Sequence, residues 1–420
     1  MGAHLSEARV PSRAAQVIVV GAGPGGASTA FHLAKDGVDV LLLDRASFPR
    51  DKVCAEYLSP QASRIIAAMG AMEAVDASGP AHLTGMRVRA PNGYEIHGSF
   101  AAHHGFRAFR DRGIAVRRSV LDAILVARAQ AAGARLSERS RITDVLRDGF
   151  GRTCGVAVLD DDGATRELHA PLVIGADGLR SVVGRRLGLT RVSRFPRRVA
   201  LVAHYRNVAG VNEVGEMHVE RDGYVGIADV GHGLTNVALV VPARVMRERG
   251  SDPSAMLDEW LAQHPHLAAR FAGAARVEAV RATGPFASST RNAWSPGAAL
   301  VGDAADFFDP FTGEGVYSAL RGGELLAPFA AEAATLSPGK SATALAAYDA
   351  ARRAEFGGKW LVERLIAGTV AVPALINHAA RALSRRKEMA DLLVGVAGDF
   401  VPASEVLRAG YFARLLVFGV

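Results

Sequence analysis

The stretch Gln16-Val-Ile-Val-Val-Gly21-Ala-Gly23-Pro-Gly-Gly26-Ala-Ser-Thr-Ala-Phe-His-Leu-Ala-Lys35-Asp-Gly37-Val-Asp-Val-Leu-Leu-Leu-Asp44 decides the fold. Val17 to Val20 run straight into the first glycine with the β-branched character of a strand buried on both faces, the central strand of a parallel sheet. The glycines then divide the work. Gly21 allows a tight turn, Gly23 lets backbone approach a pyrophosphate, and Gly26 lets the next helix pack close to the strand. That helix is expected from about Ala27 to Lys35, with a stop at Gly37, and its N-terminus offers unpaired N–H groups and partial positive charge to phosphates. Val38 to Leu43 form a second strand. Asp44 closes it where such units hold the ribose hydroxyls of an adenine nucleotide. A glycine-rich turn can also be purely structural; here strand, glycines, helix, second strand and terminal Asp all fall in register for a nucleotide.

The remaining composition narrows the class. A chain of 420 residues at 49% hydrophobic content can build a large core and more than one domain. No charged segment followed by an apolar one opens the sequence, and residues 1–14, with Arg9, Pro11 and Arg13, read as a loose tail. The apolar run from Trp360 to Ala380 is interrupted by Glu363, Arg364 and Pro373, so it reads as packed helix rather than a membrane span. Two cysteines, Cys54 and Cys154, point to a reducing compartment and a cytoplasmic address. The net charge of +7 is spread along the chain with Arg in excess of Lys, which argues against nucleic acid and for anionic ligands. His103, His104, His204 and His232 have no metal-ligand spacing, and no metal is expected. The expected partner is a small-molecule substrate, with the oligomeric state left open.

Working outward, Arg45-Ala-Ser-Phe-Pro-Arg50-Asp-Lys52-Val-Cys54-Ala55-Glu56-Tyr57-Leu58-Ser59-Pro60 breaks the strand and helix alternation. Its prolines make it a fixed loop, and its basic residues, Arg45 first, lie where the second strand ends, near the nucleotide. A solvated connector is the alternative. A helix is expected from about Pro60 to Met69, a β-hairpin over Gly85 to Phe106 around Pro91-Asn92-Gly93, and a helix from Ser119 to Ala132 with Arg118 just before its N-cap. Gly155 to Leu159 and Arg166 to His169 read as antiparallel strands about a turn at Asp160 to Gly163. Leu172 to Gly175 then enters Ala176-Asp177-Gly178-Leu-Arg-Ser181, a second strand-to-helix step on the first sheet. The middle, Arg191 to Arg281, has strands at Val199–Tyr205, Glu216–Val219, Tyr224–Asp229 and Thr235–Val241 and a helix at about Pro253 to Phe271. Ala298 to Gly302-Asp303 is another short apolar strand, followed by Pro310-Phe-Thr-Gly313-Glu314-Gly315 and a helix from Val316 to Ala331. The rest is helical, with breaks at Gly357, Pro373 and Pro402.

Taken together, Gly21-x-Gly23-x-x-Gly26 with Asp44, Gly175-Ala-Asp177-Gly178-x-x-Ser181, and Gly302-Asp303 with Pro310 and Gly313-x-Gly315 resemble the FAD-dependent oxidoreductases of the para-hydroxybenzoate hydroxylase fold. That family includes aromatic hydroxylases, geranylgeranyl-type reductases and flavin halogenases, and the resemblance covers about Val17 to Ala331. It implies FAD as cofactor, with NADPH or NADH as co-substrate. By the same resemblance Asp303 binds the ribityl chain, Gly313-Glu314-Gly315 face the isoalloxazine, Arg118 touches the flavin or its phosphates, and Asp177 and Gly178 serve FAD and NAD(P)H contact. The fold class so implied is α/β: a Rossmann-like FAD-binding domain (15–84, 107–190 and 282–335), a mixed-sheet substrate domain (85–106 and 191–281) and a helical C-terminal region (336–420).

The chain also departs from the family pattern. Gly184 stands where Arg is frequent, which weakens pyridine-nucleotide contact there. The segment Pro49-Arg50-x-Lys52-x-Cys54-Ala55-Glu56 looks most like the geranylgeranyl-reductase branch, which usually has Gly in place of Ala55. There the cysteine tends to lie beside the flavin, making Cys54 a candidate catalytic residue; a small packing cysteine is the alternative. The first functional reading is a monooxygenase that uses NAD(P)H and O2 to hydroxylate an aromatic or polyketide-like molecule. The second is a flavin reductase of isoprenoid or other alkene double bonds. Halogenation ranks below both, because Tyr224-Val-Gly-Ile-Ala-Asp229 lacks the tryptophans of the Trp-x-Trp-x-Ile-Pro segment.

Overall fold

The computed structural model describes residues 13–160, 163–192, 197–248 and 252–417. Residues 1–12 of the tail expected at 1–14 and the tip of the Asp160–Gly163 turn lie outside these residues. Arg13 and Ala14, assigned to that tail, are already joined to the sheet system through His169.

Val17–Val20 is buried throughout and sits at the centre of a six-stranded sheet. The strand order is Trp294–Ser295, Ala298–Leu300, Leu172–Gly175, Val17–Val20, Val40–Leu43 and Arg135–Ser137, parallel except for the first. Because Val17 pairs with both Leu172 and Val40, the chain reverses its direction of sheet growth here, and the strand ends carry Gly21, Ala176 and Val301 to one edge. That edge is where ligands sit in open α/β sheets. The strand Arg135–Ser137 was not foreseen; three residues with an exposed arginine carry no periodic signal.

The first helix runs Pro24–Lys35, three residues earlier than expected, with Gly23 as N-cap and proline in the first turn, where its missing N–H costs nothing. The helix Gly315–Thr335 crosses it at glycine. A Cβ at Gly323 would come 2.7 Å from Thr29 N and 2.9 Å from Gly25 O, so the two backbones meet only because side chains are absent there. Ser28 Oγ donates to Leu320 O at 2.8 Å across the same contact.

An eight-stranded sheet holds Arg198–Arg206, Thr235–Pro242, Gly223–Asp229 and Val214–Glu220 in antiparallel order. The expected hairpin, Gly85–Arg89 with Glu95–Ser99, joins it by parallel pairing to Val214–Glu220. Alternation divides this sheet's faces. Leu201, Ala203 and Tyr205 pack with Leu257, Trp260 and Leu267 of the neighbouring helices, while Ala200 and Val202 belong to a separate core with Phe286. The helix expected over Pro253–Phe271 is two, Pro253–Gln263 and Pro265–Phe271. Pro265 removes an N–H and pushes His264 into extended backbone.

Among the C-terminal helices, Pro338–Val370 runs through Gly357 without a break. An isolated glycine costs only about 1 kcal/mol in a helix interior, and buried Leu345, Tyr348 and Phe356 hold the flanking turns in the central-sheet core. The helix ends before Pro373, where Pro373–Ser384 leaves at 110°. Lys387–Ala397 then packs on the hairpin, with Ser99 N–H donating to Asp391 at 2.8 Å. These helices fasten one sheet to the other. Among the described residues no single helix is long and apolar enough to cross a membrane.

Candidate active site

The edge of the central sheet and the Ala200–Val202 face of the middle sheet enclose a cleft of about 1080 Å³, counting its open mouth. Residues from every motif meet on its walls: Gly23 and Gly25, Lys52 to Ala55, Tyr57, Arg118, Gly178, Gly302, Asp303, Pro310, Gly313 and Gly315. Its floor is Ala200, Val202, Ala238 and Val240, continued by Leu179, Phe286 and Phe307.

At one end, a Cβ at Gly23 would meet only Arg50 Nη2 at 3.7 Å and Arg118 Nη2 at 3.8 Å, so two guanidinium groups stand over the turn. Arg118 is the first residue of the helix Arg118–Ala131, not a residue before its cap. Its Nε and Nη2 lie 2.8 Å from the two oxygens of Asp122, one turn on. Burial works against its charge, and the carboxylate of Asp122 outweighs that, raising its pKa. Asp122 was missed in the sequence; its i+4 spacing from Arg118 was the available signal. The other two glycines are structural. Gly21 has φ +96°, and a Cβ at Gly26 would collide with Gly21 O.

Asp44 is 6% exposed, with Oδ2 accepting Ala22 N–H at 2.8 Å and Oδ1 accepting Ala46 N–H at 2.9 Å. Its carboxylate therefore braces the glycine turn, with Arg50 3.4 Å away. Arg45 is exposed beside it. Asp177 turns to the helix Val182–Arg186, accepting Ser181 Oγ–H at 2.6 Å and Val182 N–H at 2.5 Å, and burial raises its pKa. Gly178, not Asp177, reaches the cleft wall.

At the other end Asp303 faces Lys52 at 3.7 Å. The turn Pro310–Thr312 is fixed from the middle sheet, because Asp309 accepts Phe311 N–H (3.1 Å), Tyr224 Oη–H (2.7 Å) and Arg198 Nη1–H (2.5 Å). Gly313 has φ +73°, and a Cβ there would press on Tyr57 at 2.7 Å. Its N–H is spent on Pro310 O, whereas Glu314 and Gly315 open the next helix, where N–H groups have no intrahelical acceptor. The Glu314 side chain is 4% exposed and ends 2.9 Å from Lys359 Nζ, which also pairs with Asp399. Burial first, then Glu314, raise the pKa of neighbouring Glu363 well above the carboxylate range.

Cys54 is half-buried at the junction of the two ends, its Sγ accepting Glu56 N–H at 3.3 Å. Tyr57 Oη is buried on the cleft wall with no hydrogen-bond partner among the described residues. A glycine corner open only to guanidiniums, unpaired helix N–H groups, an acidic residue at a strand end and an orphaned hydroxyl fit a flavin dinucleotide.

A glycine turn at the crest of a parallel sheet, opening through one cleft onto a second sheet, defines the class of FAD-dependent oxidoreductases. The chain belongs to the FAD binding domain family, whose model matches residues 14–356. It is 31% identical to digeranylgeranylglycerophospholipid reductase 2 of Methanopyrus kandleri over 92% of this chain and 93% of that one. It is 27% identical to menaquinone reductase of Mycolicibacterium smegmatis over 96% and 95%. Its fold matches the myxobacterial chondrochloren halogenase at a TM-score of 0.76, with 26% identity over 84% and 82% of the two chains. The family, the fold class and FAD as cofactor agree with the motif reading.

Proposed function

We propose that the enzyme reduces a carbon–carbon double bond in a long apolar, isoprenoid-like substrate. The observation that carries this is the cleft floor. Ala200 pairs with Val240 and Val202 with Ala238, so four small apolar side chains lie side by side, with Thr283 beside Ala200 at their edge. Small residues leave width, and a predominantly apolar surface favours a hydrocarbon chain over a hydroxylated one. The similarity to proteins named as isoprenoid-lipid and quinone reductases supports the same reading. It reverses the order in which the motifs ranked hydroxylation and reduction.

In this reading Arg50 and Arg118 hold the pyrophosphate of FAD, Asp303 the ribityl chain, and the N–H groups of Glu314 and Gly315 the isoalloxazine edge. Reduced FAD supplies a hydride. The chain's own task is to hold the alkene over the floor, exclude water and supply a proton to the second carbon. In this reading Cys54 Sγ–H makes that transfer, with the Arg118 guanidinium beside it. The electrons come from NADPH or NADH. Hydroxylation with NAD(P)H and O2 is the second reading, favoured by Phe286 and Phe307, whose rings pack against each other at 5.2 Å and present an aromatic wall to the cleft.

The test is to reduce the flavin without oxygen and add a polyprenyl compound. Reoxidation of the flavin by that compound supports reduction, whereas flavin that stays reduced until O2 is admitted overturns it.

A further inference from the structure

His204 and Asn236 extend the row of the cleft floor. Two register positions beyond Val202 and Ala238, they are the next pair on the same face of the sheet. Where the earlier pairs are apolar, this one reaches into the Cys54 loop. His204 Nε2 lies 2.6 Å from Glu56 Oε2, its Nδ1 contacts Glu278, and Asn236 Nδ2 donates to Glu56 Oε2 at 3.1 Å and to Cys54 O at 3.0 Å. Glu56 Oε1 accepts Arg118 N–H at 3.0 Å, and its own N–H goes to Cys54 Sγ.

Glu56 holds this position in a left-handed backbone at φ +61°. Such a conformation is costly for a non-glycine residue and persists only where surrounding contacts impose it. Here the contacts come from the opposite sheet, and a carboxylate on each ring nitrogen of His204 requires a proton on both. We propose that His204 is a positioning residue: as an imidazolium between Glu56 and Glu278 it fixes the loop that presents Cys54 to the cleft, and it lets that loop go when its charge is lost. This rests on the proposed function only for what Cys54 then does.

Among the described residues, the charged groups facing the imidazole come from separate segments. Glu56 comes from the loop, Glu278 from the segment after Arg276, and Arg117 bridges Glu278 at 3.1 Å to Asp51 at 3.3 Å, which Arg281 also meets. Burial opposes the charge on His204, and the two carboxylates overcome it, raising its pKa above the ordinary value. The clamp is therefore complete below pH ~6.5 and is lost as pH rises through the raised value.

The experiment follows alkylation of Cys54 by iodoacetamide in the FAD-loaded protein, read by mass spectrometry with Cys154 as internal reference, from pH 6 to 9. Wild type, His204→Gln and Glu278→Gln are compared. With the clamp removed, His204→Gln should label Cys54 faster than wild type at pH 6, on the order of tenfold, with the two converging at high pH. Glu278→Gln leaves one carboxylate, so its protection should end at lower pH than in wild type. Glu278 is nearer the surface than His204, which makes this the variant that folds if the other does not. Equal labelling of Glu278→Gln and wild type at every pH overturns the proposal. A failure to reduce alkenes would leave these labelling rates unchanged and would count against the proposed function alone.

Discussion

Arg50 and Arg118 meet on a single carboxylate oxygen. Asp122 Oδ2 lies 3.1 Å from Arg50 Nη1 and 2.8 Å from Arg118 Nη2; Arg50 keeps its other nitrogen, Nη2, near the Gly23 corner, and Arg118 reaches that corner with the same Nη2 that meets Asp122. Asp122 is fully buried, so it orients both forks while their outer edges remain directed at whatever occupies the turn.

Arg50→Ala is the cleaner probe of that cradle. Removing Arg118 would strand a buried carboxylate, at about 3–5 kcal/mol, whereas Arg50 is partly exposed and Asp122 keeps its main partner. FAD should bind roughly ten- to hundredfold more weakly, the equivalent of about 1.5–3 kcal/mol for a charged hydrogen bond, with the melting temperature of the FAD-free protein unchanged. Fluorescence titration of FAD measures it.

Two glycine variants should separate binding from folding. Gly23→Val points its side chain into the open cleft, so the FAD-free protein should fold and fail to take up FAD. Gly26→Val collides with Gly21 O and should not accumulate as folded protein. Circular dichroism alongside flavin absorbance distinguishes the two.

Asp44→Ala should cost stability as well as FAD affinity, because Ala22 and Ala46 lose their acceptor. Each stranded donor costs about 1–3 kcal/mol. Asp44→Asn keeps one acceptor oxygen and should recover part of the loss. Denaturant unfolding of the FAD-free forms checks this, and equal stability of wild type and Asp44→Ala would assign the carboxylate to the nucleotide alone.

Acid should weaken the middle sheet at Glu216. Burial raises the pKa of this carboxyl, but hydrogen bonds from His218, Arg270 and Arg87 outweigh it and bring it down to about 2. A depressed carboxyl stabilises above its unfolded pKa and loses that contribution as pH falls, here from ~4.5 towards 2, a total of roughly 3 kcal/mol. In Glu216→Gln the stability difference between pH 5 and pH 2.5 should shrink, as urea unfolding at the two pH values will show.

How far the sequence could be read follows from how local each signal is. Val17 to Val20, the glycines and Asp44 are contiguous, and their strand, turn and helix were legible because each residue's role is set by its neighbours. Leu172–Gly175 and Ala298–Leu300 were legible for the same reason, each being a short apolar run ending in glycine. The role of Asp44 as a brace for Ala22 was not, because a carboxylate's partner depends on distance in space. Glu56, His204, Asn236 and Glu278 lie on separate segments and become one cluster only after two sheets are docked. Gly357 and Pro265 show the limit of breaker residues: a glycine is overridden by buried neighbours, while a proline that removes a hydrogen bond is not.

The measurement that tests alkene reduction most directly is the mass of the product formed under strict anaerobiosis. The FAD-loaded protein, reduced by dithionite, is incubated with a geranylgeranyl-chain lipid. The expected product gains two hydrogens per double bond reduced, and Cys54→Ala should lower its yield while leaving reduction of the flavin itself intact. A lipid recovered unchanged without oxygen, together with an aromatic compound that gains one oxygen atom when NAD(P)H and air are supplied, would contradict reduction and establish hydroxylation in its place.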